Sequence, residues 1–192
     1  MPAWLQQRIN AVLRLLGMPR MLYGWRHFDG RWLAHTRVHA ATEVMSPGGL
    51  DLGDHVYVGP FNLLDASGGL QIGEGVQITT HCVLLTHSSH HALRRAGRAY
   101  WGAADPPAFV RAPTRIGAYT FIGPHTVVAP GSRIGRGVLV RAYSYIGGDI
   151  PDFAIVGGQP ARVLGDTRDV DAPWLAAHAE CRADYEAWAQ AR

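Results

Sequence analysis

The sequence predicts an all-β body, a parallel β-helix wound as a triangular prism of about five coils. Three observations carry this: a six-residue aliphatic repeat, a turn-rich composition, and small residues at fixed places between the aliphatic ones. Ile116-Gly117, Ile122-Gly123, Val128, Ile134-Gly135, Val140 and Ile146-Gly147 recur every six residues without a slip. Leu52-Gly53, Val58-Gly59 and Leu64 keep the same spacing, as do Ile72-Gly73, Ile78 and Leu84, and Trp32, Val38 and Val44 form a weaker first set. A period of six matches neither the helical 3.6 nor the strand 2. It fits a short extended run followed by a tight bend that brings the next aliphatic side chain back inside.

Between sets the count rises from six to eight, at Ser46-Pro47-Gly48-Gly49 and again at Ser67-Gly68-Gly69. Both additions fall at the same place in successive sets, as expected for three hexads per turn with one enlarged corner. Residues two before the aliphatic positions (Thr114, Thr120, Thr126, Ser132, Val138 and Ser144) are small or β-branched and suit the corners of a prism. With 23 glycines, 12 prolines and only 17% charged residues among 192, the composition favours turns and strands over a helical bundle.

Stacked coils leave open ends, so caps are expected. Residues 1–30 are predicted as an N-terminal helical cap, with Trp4, Ile9, Val12, Leu13 and Leu16 at near-helical spacing for packing. The prism is expected over 31–164. A C-terminal helical segment is expected over 165–192, opening at Pro173-Trp174-Leu175 and carrying Tyr185, Trp188 and Arg192. All 18 cations are Arg, and Arg8, Arg14, Arg20, Arg26 and Arg31 gather near the start. A solvated face is the plain reading, and peripheral contact with an anionic membrane surface is the other. Cys82 and Cys181 lie far apart, no stretch is apolar enough to span a bilayer, and residues 1–20 lack signal-peptide features. A cytoplasmic location follows as the expectation.

Between Leu84 and Ile116 the repeat stops, and residues 87–113 are expected to form an extruded loop. It opens Thr86-His87-Ser88-Ser89-His90-His91 and later carries Arg94, Arg95, Tyr100 and Trp101, a composition that suits function more than disorder.

The hexads, this histidine-bearing loop, and the ending Asp149-Ile150-Pro151-Asp152-Phe153-Ala154-Ile155-Val156-Gly157-Gly158-Gln159-Pro160-Ala161-Arg162-Val163 resemble the hexapeptide-repeat, left-handed β-helix acyltransferases. Within them the likeness is greatest to the maltose, galactoside and capsule O-acetyltransferase group, over roughly residues 45–165. The resemblance implies an acetyl-CoA-dependent O-acetyltransferase acting on a sugar hydroxyl of a saccharide or polysaccharide precursor, free or lipid-linked. It also implies a homotrimer, and no metal or nucleic-acid partner is expected.

A sugar hydroxyl is a poor nucleophile near neutrality, and an imidazole of ordinary pKa can accept its proton. The loop string is similar to that of the galactoside enzymes and selects His87 as the base, whereas other members place their histidine further on, which would select His90. The same resemblance assigns acceptor contacts to Asn62 and Asp65, with Asp65 alternatively positioning the base. It sets Phe121 where relatives carry an aromatic wall, and Tyr100 and Trp101 belong to the same substrate-binding set. For the acyl donor it implies Gly123, Ala142 and Gly157 beside the pantetheine arm and Arg162 near the phosphates. Gly147-Gly148 stands where relatives have Thr-Lys, so either Arg141 or Arg115 compensates or CoA is bound more weakly. His81 and His125, each three residues after a hexad aliphatic, are expected to stack structurally. The competing readings are N-acetyl transfer to an amine, a non-catalytic scaffold, and a zinc-dependent γ-carbonic-anhydrase-like site using His87, His90 and His91.

Overall fold

The computed structural model describes residues 1–16 and 19–190, without the side chain of Arg14. Arg192 therefore lies outside the described residues. The chain winds into a left-handed prism of five coils with three faces. The first face stacks Trp32–His39, Tyr57–Val58, Gln77–Ile78, Phe121–Ile122, Leu139–Val140 and Ala154–Gly158 in parallel. Glu43–Met45, Leu63–Asp65, Val83–Leu84, Val127–Val128 and Tyr145–Ile146 form the second. Leu50–Leu52, Leu70–Ile72, Thr114–Ile116, Arg133–Ile134 and Asp149–Ile150 form the third.

The hexad aliphatics meet in register. Val38, Val58, Ile78, Ile122, Val140 and Val156 stack on the first face. Val44, Leu64, Leu84, Val128 and Ile146 stack on the second. Leu52, Ile72, Ile116, Ile134 and Ile150 complete the third. Most are fully buried in one continuous core, each stabilising the fold by about 1.5–3 kcal/mol relative to exposure. Glycine follows the aliphatic where coils press together: a Cβ on Gly123 would sit 2.6 Å from the Ala142 backbone nitrogen of the next coil.

Corners are turned by residues in the left-handed region, including the non-glycines Phe61, His81, His125 and Tyr143 at φ between 57° and 59°. Their rings stack along the edge between the first and second faces, His81 to His125 at 4.9 Å and His125 to Tyr143 at 4.7 Å. The enlarged corners at Ser46–Gly49 and Ser67–Gly69 lie on another edge, between the second and third faces. The excursion of the third coil leaves from that same edge.

Helix α1 (Ala3–Leu15) precedes the prism, and α2 (His90–Ala96) lies in the excursion. Helices α3 (Thr167–Ala177) and α4 (Arg182–Ala189) follow the last coil. Two features of the N-terminal cap depart from expectation. Residues Met21–Arg26 form a strand that closes the first face antiparallel to Trp32–His39, so the cap is not wholly helical. Helix α1 and the turn residue after it also leave Trp4, Val12 and Leu16 exposed instead of packing them. The periodicity fixed an amphipathic helix but not which arc it would bury. At the other end, Ala161–Asp166 closes the first face antiparallel to Ala154–Gly158. Trp188 of α4 stacks on Tyr119 at 4.8 Å and packs on Phe153, tying the C-terminal helices to the prism.

Candidate active site

The excursion is closed at its root by His87–Ser88 pairing antiparallel with Val110–Arg111. The Ala112 nitrogen also donates to the Thr86 carbonyl at 2.9 Å. Between these strands the chain forms α2 and a 3-10 turn over Gly97–Tyr100, so it is ordered structure and not an open loop. The root lies directly over the enlarged corner of the coil before it. A Cβ on Gly68 would come within 2.6 Å of the Thr86 carbonyl oxygen, so glycine there admits the close approach.

This stacking brings His87 onto Asp65. His87 Nδ1 is 2.7 Å from Asp65 Oδ2 and 2.9 Å from the Ser67 hydroxyl. Asp65 has no exposed surface and accepts three further hydrogen bonds: Thr86 N at 2.9 Å, Thr86 Oγ1 at 2.8 Å and Ser67 N at 3.0 Å. Burial alone would raise its pKa. The hydrogen bonds from Ser67 and Thr86 outweigh that and hold the carboxyl well below the usual carboxylate range. An ionised Asp65 fixes the proton on His87 Nδ1, because a carboxylate only accepts. Nε2 is then left as a lone-pair acceptor, the arrangement a general base needs. Phe109 stacks on the His87 ring at 5.6 Å and 10°, and the Arg111 guanidinium lies 5.5 Å from the Phe109 ring.

His90 has different surroundings. Its Nδ1 lies 2.7 Å from the Ser88 hydroxyl, its ring sits 3.9 Å from that of His91, and among the described residues no carboxylate pairs with it. Tyr100 and Trp101 pair edge to face at 5.4 Å, and with Phe109 and Arg111 they line a hollow of about 300 Å³. Phe109, which lines that hollow, is the ring that stacks on His87.

Asn62 requires a correction. It is buried and turned into the prism, where Nδ2 donates to the carbonyls of Gly59 (2.9 Å) and Thr79 (3.1 Å). Its Oδ1 accepts from Cys82 N at 2.7 Å, so the amide is consumed by backbone and cannot contact an acceptor. The signal was present, since Asn62 stands two before Leu64, in the same inward series as Thr120 and Thr126. The partners that sequence reasoning missed are Ser67, Thr86 and Phe109. Ser67 was read only as part of an enlarged corner, and Phe109 follows no period.

Phe121 lies half-exposed on the first face, across the prism from the edge that bears His87, so one chain does not bring the two together. Gly123, Arg141, Ala142, Gly157 and Arg162 do cluster, at the edge between the first and second faces in the last coils. Gly157 pairs with Arg162, and a Cβ on it would meet the Arg141 side chain at 3.3 Å. Arg115 is elsewhere: it stands on the third face beside Arg133 and cannot replace a cation at the Arg141 edge. His87, His90 and His91 do not converge as metal ligands. Among the described residues, the histidine and acid grouping within mutual reach is His35, Asp54 and His55 on a different edge.

Residues 113–148 match the family model for the bacterial transferase hexapeptide (six repeats). A probable acetyltransferase of Mycobacterium tuberculosis is 29% identical over 117 residues. The match covers 61% of this chain but 37% of that relative's length. A hexapeptide-repeat acetyltransferase from Vibrio cholerae superposes with a TM-score of 0.55 at 26% identity, over 65% of this chain and 70% of that one. A galactoside acetyltransferase solved with coenzyme A gives 0.54 at 28%, over 67% and 61%. The prism and its hexapeptide repeat are shared with these acetyltransferases. A maltose O-acetyltransferase from Clostridium difficile, at 19% identity and a TM-score of 0.50 over 65% of this chain and 63% of that one, shares the fold.

Proposed function

We propose that this chain transfers an acetyl group from acetyl-CoA to a saccharide hydroxyl, with His87 as general base and Asp65 as the residue that orients it. The observation that carries the reading is the 2.7 Å contact between His87 Nδ1 and a buried carboxylate. His87 Nε2 takes the proton of the acceptor hydroxyl, and the oxygen attacks the thioester carbonyl. The tetrahedral adduct then collapses with cleavage of the C–S bond, and the imidazolium returns its proton to the departing sulfur. Asp65 stays ionised throughout and stabilises the imidazolium. General-base assistance of this kind contributes about 10²–10⁴ in rate.

Phe121 and the Arg141 edge lie on different sides of the prism from His87. We therefore take the working site to form between the His87 edge of one copy and the first-face edge of the next. Closed cyclic repetition of such a contact gives the homotrimer. The coenzyme A and acetyl-CoA complexes of similar proteins support the choice of donor.

The test is initial-rate release of CoA from acetyl-CoA across a panel of saccharides and amino sugars. His87→Ala is expected to lose activity on the order of 10² or more and to keep donor binding, with His90→Ala active. An active His87→Ala beside an inactive His90→Ala would overturn the assignment. Acylation confined to the amine of an amino sugar would overturn the hydroxyl as acceptor.

A further inference from the structure

Helix α1 turns its polar side to the protein. Gln6, Gln7 and Asn10 form the inward arc together with Ala3 and Leu13. Asn10 Nδ2 donates to the Tyr23 and Gly24 carbonyls at 3.1 and 3.3 Å, and Gln6 Nε2 donates to Asn10 Oδ1 at 3.0 Å. The opposite arc is apolar and open: Trp4 is 60% exposed, Val12 53%, Leu16 63% and Leu15 86%. Arg8 sits within that arc, its guanidinium 5.9 Å from the Trp4 ring. Residues 1–28 contain Arg8, Arg14, Arg20 and Arg26 and no Asp or Glu.

We propose that α1 is an in-plane anchor that seats this protein on an anionic lipid surface, with Trp4, Val12, Leu15 and Leu16 entering the headgroup boundary. An arginine in the middle of the apolar arc separates this from a protein interface. Between two helices it would be a buried unpaired charge. At a bilayer the same side chain lays its stem among the acyl chains and reaches the lipid phosphates. Charge complementarity points the same way: an acid-free basic segment is attracted to anionic lipid and opposes a second copy of itself. The inference does not depend on the catalytic reading.

The test is flotation of the full chain with vesicles of phosphatidylcholine alone, or with about a third phosphatidylglycerol. Binding to the anionic vesicles is expected, weakening in ~1 M salt. The double variant Val12→Glu/Leu15→Glu alters only exposed side chains. It should keep the wild-type melting temperature and lose vesicle binding by at least about tenfold. Absence of binding to anionic vesicles, or equal binding by the double variant, would overturn the proposal. So would a change in the oligomeric mass of that variant in lipid-free solution, since a second copy would then be the occupant of the arc.

Discussion

Asp65→Asn tests the His87 arrangement at its origin. The carboxylate accepts four hydrogen bonds, from His87 Nδ1, Thr86 Oγ1, Thr86 N and Ser67 N, at 2.7 to 3.0 Å. A carboxamide offers one accepting oxygen and a nitrogen that only donates. If the oxygen faces Thr86 and His87, the new amide nitrogen confronts the Ser67 N–H. If it is flipped, three donors lose their partner. Either way at least one charge-assisted bond to the buried carboxyl becomes a donor–donor contact, costing about 1.5–3 kcal/mol. For a chain of this size that lowers Tm by about 3–12 °C, measurable by calorimetry. The kinetic loss is separate. Without a carboxylate the Nδ1 proton is no longer fixed, and kcat should fall on the order of 10². The assay is CoA release by Asp65→Asn, His87→Ala and the double variant at a temperature where all are folded. Because Asp65 acts through His87, the double variant should be no slower than His87→Ala. Wild-type kcat in folded Asp65→Asn would refute the reasoning, as would a full further loss on the His87→Ala background.

Asn62→Ala strands the Cys82 N–H and takes the Asn62 donor from the Thr79 carbonyl, while the Gly59 carbonyl keeps Thr42 Oγ1. It should cost about 2–4 kcal/mol in denaturant unfolding, with kcat unchanged in the folded fraction. Arg141→Ala and Arg162→Ala remove exposed cations from the proposed donor edge. Each should raise KM for acetyl-CoA by about fivefold with little change in kcat, as read from saturation curves. In acid, the folded pKa of Asp65 lies below its unfolded value of about 3.9. Its contribution is therefore complete above about pH 5 and is lost as pH falls below about 4. Unfolding midpoints across that range should fall more steeply for wild type than for Asp65→Asn.

The prism was legible because an inward aliphatic every sixth residue is a demand of every coil, so the signal repeats from Val38 to Ile150. The enlarged corners were legible too, as two added residues at the same phase, and they marked the edge from which the excursion leaves. What holds His87 was harder to read. Asp65 and Thr86 are 21 residues apart and meet only because one coil stacks on the next. Ser67 joins them through its backbone nitrogen on Asp65 and its hydroxyl beside His87 Nδ1, but a serine before two glycines reads first as a turn residue. Asn62 was misread because a polar residue at an inward position resembles a polar residue at a site until its amide is seen to be occupied. For α1, a 3.6-residue pattern specifies two arcs, and the choice between them came from the Asn10 hydrogen bonds to Tyr23 and Gly24.

The measurement that bears most directly on the account is calorimetric titration of acetyl-CoA into the purified, metal-free chain. Saturable binding near one molecule per chain, retained in His87→Ala and weakened in Arg141→Ala, is the predicted result. No heat of binding up to about millimolar ligand, a free energy weaker than about −4 kcal/mol, would contradict an acyl-CoA-dependent function for this prism.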